Sequence, residues 1–215
     1  MILNRGLFIT FEGIDGSGKT LQLELLTADL KKADLKYLLL REPGGTLISE
    51  QIRKILLDRK NTEMSDATEL LLFAAARAQL VNQIVKPALA AKTIVISDRF
   101  FDSTTAYQGY GRDMDVDFIQ NLNDFATQGL RPDLTFYFDI SVAVALDRLK
   151  SRIEKTDRID LESRNFMEKT RAGYLQIAER NPDRVRVIDA ERTPEEIYQD
   201  LKFQFEQVIN SVKCL

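Results

Sequence analysis

Eight consecutive residues constrain this chain more than anything else in it. Gly13-Ile14-Asp15-Gly16-Ser17-Gly18-Lys19-Thr20 fits the pattern G-x-x-x-x-G-K-[ST] at every position. The apolar run Leu7–Phe11 precedes it, and helical spacing begins at Thr20. A buried strand, a glycine-rich turn and a helix in that order make a phosphate cradle. The glycines let backbone N–H groups converge on one point, and the helix N-terminus adds positive potential there. Lys19 is placed to reach the β- and γ-phosphates of ATP, and the Thr20 hydroxyl to bind the accompanying Mg2+. All eight residues are expected to line the ATP site.

The rest of the chain agrees with such a cradle. Short apolar runs at Tyr37–Leu40, Thr93–Ser97, Leu134–Phe138 and Val185–Ile188 read as further buried strands. Helical spacing fills the intervals at Thr20–Lys32, Ile48–Leu57, Ala67–Ala90, Val116–Thr127, Val142–Ile153, Ser163–Glu179 and Glu195–Ser211. Strands alternating with helices predict an α/β fold, a doubly wound five-stranded parallel sheet, because parallel strands need crossovers and are covered on both faces. With 215 residues, 44% of them hydrophobic, a single domain spanning 1–215 is expected.

Composition removes several functions. Histidine is absent, which excludes Ser-His-Asp chemistry, histidine base catalysis and histidine metal ligands. A net charge of −3 gives no bulk attraction to nucleic acid or to an anionic membrane, so neither is an expected partner. No window holds ~18 consecutive apolar residues, and the N-terminus has no signal-type stretch. The lone Cys214 has no internal disulfide partner. The expected location is the cytoplasm.

The loop alone is shared by GTPases, motor ATPases and small-molecule kinases. No Asn-Lys-x-Asp segment of a guanine-specific protein is present. The strand at Ile94–Ser97 ends instead in Asp98-Arg99. An aspartate there can hold the Mg2+ shell. An arginine beside it faces the crevice at the strand ends, where open α/β sheets bind ligands. A fixed cation in that crevice suits an anionic acceptor better than an attacking water.

Further stretches carry a resemblance. Arg41-Glu42-Pro43-Gly44-Gly45-Thr46 follows the second strand, and Leu71 through Gln79, with Phe73 and Arg77, lies on a helix. Asp98-Arg99-Phe100 is followed by Ser103 through Arg112, and later come Asp157-Arg158-Ile159-Asp160 and Arg171-Ala172-Gly173-Tyr174. With the phosphate loop, and in this order, they resemble the thymidylate kinase family nearly end to end. The resemblance implies a P-loop kinase that phosphorylates dTMP with Mg-ATP, usually as a homodimer.

It also implies roles. Phe73 and Arg77 share a helix face. Taken alone, Phe73 reads as core packing, because Leu70–Ala76 is almost wholly apolar. A guanidinium inside that run wants an acceptor, though, since burying it unpaired is costly. In the family the matching aromatic stacks on thymine and the matching arginine reads a base carbonyl. Asp15 matches a carboxylate near the sugar 3′-hydroxyl, and Arg99 an arginine that grips the acceptor phosphate between donor and acceptor. Thr104 and Tyr107 match base-edge and deoxyribose contacts, Gln108 a further base or sugar contact, and Pro43 a wall of the acceptor site. Glu42 receives no role.

One position departs from part of the family. Members that include the eukaryotic ones carry an arginine in the loop where this chain has Gly16. Members without it place the cation in a mobile lid. Residues 148 to 164 are dense in charge, so a short lid is expected there, with Arg148, Arg152 and Arg158 as candidate catalytic arginines. Two alternatives stay open at this point: another nucleoside monophosphate or deoxynucleoside kinase, and a nucleotide-switch ATPase.

Overall fold

The central strand sets out the rest of the architecture. β1 (Leu7–Glu12) is buried at every residue and pairs in parallel with β3 (Ile94–Asp98) on one side and β4 (Leu134–Asp139) on the other. β2 (Tyr37–Arg41) adds to β3 and β5 (Val185–Asp189) to β4, giving five parallel strands in the order β2-β3-β1-β4-β5. The register sets Phe11 beside Asp98 and beside Phe136. Glu12 and Asp98 therefore emerge together at the carboxyl edge of the sheet, where the crevice opens. The computed structural model describes residues 3–150, 158–159 and 162–212.

Alternate residues of β1 enter opposite layers, as the two-residue period of a strand requires. Leu7, Ile9 and Phe11 pack with Leu23 and Leu26 of α1 (Lys19–Lys32) and with Leu201 and Phe205 of α9 (Pro194–Ser211). Phe8 packs on the other side with Leu80, Val81, Val85 and Phe100. Each such buried side chain contributes about 1.5–3 kcal/mol. The sheet is doubly wound, as its unbroken apolar strands predict.

The remaining helices are α2 (Leu47–Leu57), α3 (Asp66–Leu80), α4 (Lys86–Ala90), α5 (Phe101–Thr104), α6 (Val116–Thr127), α7 (Val142–Lys150) and α8 (Arg164–Arg180). Side chains set several starts: Thr46 accepts from Ser49 N at 3.0 Å, and Ser65 accepts from Thr68 N at 3.2 Å. Thr193 and Glu196 form a reciprocal capping box at α9.

Two features differ from the sequence expectation. The helix expected over Ala67–Ala90 is divided, with a π-helical turn at Val81–Val85 between α3 and α4. Pro87 has no N–H to return to the Gln83 carbonyl, and the ladder widens just before it. Residues 101–111, which fall in none of the expected helices, are helical: α5 continues into a π-helical stretch at Thr105–Gly111. Its glycines hide the helical pattern because they serve close packing. A Cβ on Gly111 would lie 2.7 Å from the Phe166 ring of α8. The last residues of the helix expected over Val142–Ile153, and most of the expected lid, lie outside the described residues. Among the described residues no helix is long and apolar enough to cross a membrane.

Candidate active site

The phosphate loop joins β1 to α1 through three left-handed glycines, Gly13, Gly16 and Gly18, at φ 144°, 85° and 87°. Gly16 has a second reason to be glycine, since a Cβ there would sit 2.6 Å from the Ala145 carbonyl of α7. No arginine fits at this position without moving α7, so the missing loop cation follows from the packing. Lys19 is buried, and its Nζ donates to the carbonyls of Gly13 (2.9 Å) and Ile14 (3.2 Å) and to Ser17 Oγ (3.4 Å). Burial, followed by the nearby Arg99 charge, brings its pKa down from 10.5 to about 8.

Arg99 is the hub of the crevice. Its backbone is left-handed at φ 69°, with its N–H donating to Phe11 O at 2.9 Å. The guanidinium crosses to the loop. Nη1 donates to Gly13 O (3.0 Å), Ser103 Oγ (3.2 Å) and Tyr174 Oη (3.3 Å). Nη2 donates to Asp15 Oδ1 (2.8 Å) and Tyr107 Oη (3.2 Å). The Tyr107 hydroxyl donates in turn to the other Asp15 oxygen at 3.2 Å. Burial raises the Asp15 pKa, but Arg99 and then Lys19 outweigh it and hold the carboxyl below the usual range.

Beneath Arg99 lies the fully buried Glu12. It accepts from Phe100 N at 2.7 Å, Ser103 Oγ at 2.6 Å and Tyr174 Oη at 2.9 Å. Burial first, and then the Asp102 charge, raise its pKa to about 7. Its two hydroxyl partners are the ones that also receive Arg99, so Glu12 anchors the groups that steer the guanidinium.

A cavity of about 180 Å³ opens beside Arg99. Asp15, Pro43, Phe73, Arg77 and Arg99 line it, and so do Thr104, Tyr107 and Gln108, every residue that the sequence places around an acceptor. Asp98 lines it too. Three of its lining residues each carry a buried oxygen with no hydrogen-bond partner among the described residues: Glu42 Oε1, Asp98 Oδ1 and Thr104 Oγ1. Leaving such groups unpaired is expensive, and their concentration in one cavity marks a place built for polar ligands. Phe73 is only partly buried, which fits a lining residue better than a core one.

A family profile described as thymidylate kinase matches residues 11–201. The chain belongs to the thymidylate kinase family. It is 51% identical to the thymidylate kinase of Geotalea daltonii over 86% of this chain and 89% of that protein. It is 44% identical to that of Kosmotoga olearia over 93% of this chain and 95% of that one. The crystal structure of thymidylate kinase from Ehrlichia chaffeensis superposes with a TM-score of 0.75 at 37% identity, covering 94% of this chain and 98% of that one. The fold is thus that of a P-loop kinase.

Against this thymidylate kinase framework the three candidate lid arginines separate. Arg148 lies on the loop, with Nη1 donating to Gly16 O at 3.4 Å and Nη2 to Ala190 O at 3.1 Å. Arg158 lies on the opposite, acceptor side, donating to Leu56 O at 3.0 Å and to Glu69. Arg152 is outside the described residues. Of the metal candidates, Thr20 is exposed on the first turn of α1, and Asp98 keeps one buried oxygen without a partner among the described residues.

Sequence reasoning missed Glu12, Glu69 and Arg53. Glu12 had a usable signal, a carboxylate that ends a largely apolar run directly before the loop. Glu69 sits one residue before the apolar helical run and looks like ordinary first-turn acid. Arg53 donates to Pro43 O at 2.9 Å and lines the cavity, but nothing in its neighbourhood distinguishes it from a surface arginine of α2.

Proposed function

We propose that this protein transfers the γ-phosphoryl group of Mg-ATP to the 5′-phosphate of dTMP across Arg99. The chain is an ATP-dependent nucleoside monophosphate kinase, and phosphorylation of dTMP to dTDP is the reaction that its family membership carries. One observation supports the assignment of roles above the others: a single guanidinium holds the phosphate loop at Gly13 and Asp15 and also faces the acceptor cavity.

In this reading Lys19 exchanges its loop carbonyls for donor phosphate oxygens, and Arg99 holds the acceptor phosphate in line with the donor. Asp15 and Tyr107 flank the sugar, Phe73 stacks on the base, and Arg77 with Thr104 and Gln108 reads its edge. Pro43 walls the site. Thr20 and Asp98 would hold Mg2+, which neutralises charge on the phosphates. The unpaired Asp98 oxygen fits that use. The acceptor phosphate is already ionised, so no general base is required. Arg148, Arg152 and Arg158 supply the lid charge that Gly16 leaves out, within one catalytic domain.

Exposed apolar residues on three helices support a homodimer. Leu71 on α3, Phe118 and Phe125 on α6 and Leu47 on α2 are open to solvent, and α3 packs against both α2 and α6. The assembly and a cytoplasmic location belong to the same proposal. Screening the common nucleoside monophosphates with Mg-ATP tests it. ATP consumption should require an acceptor, with dTMP best, dUMP weaker, and UMP and dCMP poor. Steady hydrolysis without acceptor, or preference for another monophosphate, overturns it.

A further inference from the structure

The acceptor cavity is backed by a carboxylate that does not itself line it. Glu69, on the first turn of α3, is 1% exposed. Its Oε1 accepts from Gln108 Nε2 at 2.8 Å and from Arg112 Nε at 2.8 Å. Its Oε2 accepts from Arg112 Nη2 at 3.0 Å and from Arg158. Burial raises the Glu69 pKa, but the hydrogen bonds from Arg112, Arg158 and Gln108 prevail and keep it ionised. An ionised carboxylate only accepts hydrogen bonds. Glu69 therefore dictates which end of the Gln108 amide faces it: the NH₂ group must. The amide oxygen is left over. It accepts no hydrogen bond among the described residues, and Gln108 lines the cavity.

We propose that Glu69 is a positioning residue for base selectivity, which it exerts by locking the Gln108 amide with its oxygen toward the base. This rests on the pyrimidine monophosphate reading of the cavity. A locked oxygen accepts the ring N–H of an imide base such as thymine or uracil. It repels cytosine, whose ring nitrogen at that place carries a lone pair. Thr104 cannot make this distinction, because a hydroxyl serves as donor or acceptor by rotating. Arg77 can only donate, so it acts on the neighbouring exocyclic group and not on the ring N–H. Without Glu69 the amide is free to turn over and offer its NH₂ group to cytosine.

The test compares kcat/KM for dUMP and dCMP, with Mg-ATP, in the wild type, Glu69→Ala, Gln108→Leu and the double variant. Glu69→Ala should lower the dUMP-to-dCMP preference about tenfold, with dCMP turnover rising in absolute terms, a gain that structural damage does not produce. In the Gln108→Leu background the same change should leave the preference where it is. Glu69→Ala removes a carboxylate that Arg112 and Arg158 share, leaving Arg112 with Asp66 and Glu162 and Arg158 with the Leu56 carbonyl, so Glu69→Gln is run beside it. Its amide can donate to the Gln108 oxygen and reverse it, and the preference should fall there as well. Equal losses on both substrates, or a Glu69 effect that survives in Gln108→Leu, overturn the proposal. A wild-type protein inactive on every pyrimidine monophosphate sinks the functional reading itself, whereas dTMP and dUMP activity with a preference indifferent to residue 69 sinks only the role of Glu69.

Discussion

Arg77 and Glu42 form a 2.8 Å ion pair in which the side chains are only 2% and 4% exposed. Nη1 of Arg77 donates to Asn123 at 3.0 Å and Nη2 to Phe100 O at 3.2 Å, so three of its five N–H groups are committed to protein. A guanidinium anchored in this way is aimed before any base arrives. Glu42 pays for it with a carboxyl whose pKa burial pushes up more strongly than Arg77 pulls it down.

Glu42→Ala should therefore cost about 3–5 kcal/mol of stability, because it leaves a buried charge without its partner. Urea denaturation of the variant measures it. A change below about 1 kcal/mol would mean that water reaches Arg77 in place of Glu42.

Lys19 titrates near pH 8, so kcat/KM for Mg-ATP, which reports the enzyme with its donor site empty, should fall as pH rises through about 8. Unfolding is not the cause. With a folded pKa below the ordinary 10.5, the unfolded chain binds more protons between about pH 8 and 10.5, and this group makes stability rise with pH across that window. A flat profile to pH 9.5, measured with substrate saturation of dTMP, removes Lys19 from the donor site.

Arg99→Lys should lower kcat by about 100-fold or more. An ammonium cannot span Gly13, Asp15 and a phosphate at once as a planar fork does. An effect confined to KM for ATP would place Arg99 outside the transfer step.

Much of this was legible beforehand. The loop and the parallel sheet carry their signals locally, in a motif and in apolar runs, whereas the residues around the cavity are reached through the family resemblance. What was hidden is the layer behind the site. Glu42 and Glu69 are ordinary acids in sequence, and Glu12 shows there only its place at the end of β1; the partners of all three come from distant segments, Ser103 and Tyr174 on Glu12, Arg77 on Glu42, Arg112 and Arg158 on Glu69. The helix at residues 101–111 is hidden in sequence because its glycines answer to close packing, Gly109 against Val116 and Ile119 of α6 and Gly111 against Phe166 of α8, and not to a turn.

Tyr107→Ala should narrow the gap between dUMP and UMP, which differ only at the 2′ position. The ring lines the cavity while its hydroxyl bridges Arg99 and Asp15. The expected narrowing corresponds to about 1–3 kcal/mol of discrimination. Tyr107→Phe keeps the ring and should keep the gap. If both variants discriminate like wild type, the sugar is gated elsewhere.

Neutralising Arg148, Arg152 and Arg158 singly should find at least one loss of about 100-fold in kcat with acceptor KM little changed. The two described arginines make different starts, Arg148 on the loop and Arg158 at Glu69. Three near-normal variants in a steady-state assay would mean that the charge absent at Gly16 is supplied from another part of the chain.

The π-helical stretch at Thr105–Gly111 also bears on which lengths of this chain evolution can accept. A π turn holds one residue more than an α turn, so deleting one residue there would restore a regular helix and is cheap for the backbone. Yet each residue turns a helix by about 100°, and the same deletion would swing Tyr107 and Gln108 away from the cavity. The segment can gain regularity only by moving Tyr107 and Gln108 off the cavity they line, which counts against deletions for a reason unrelated to stability.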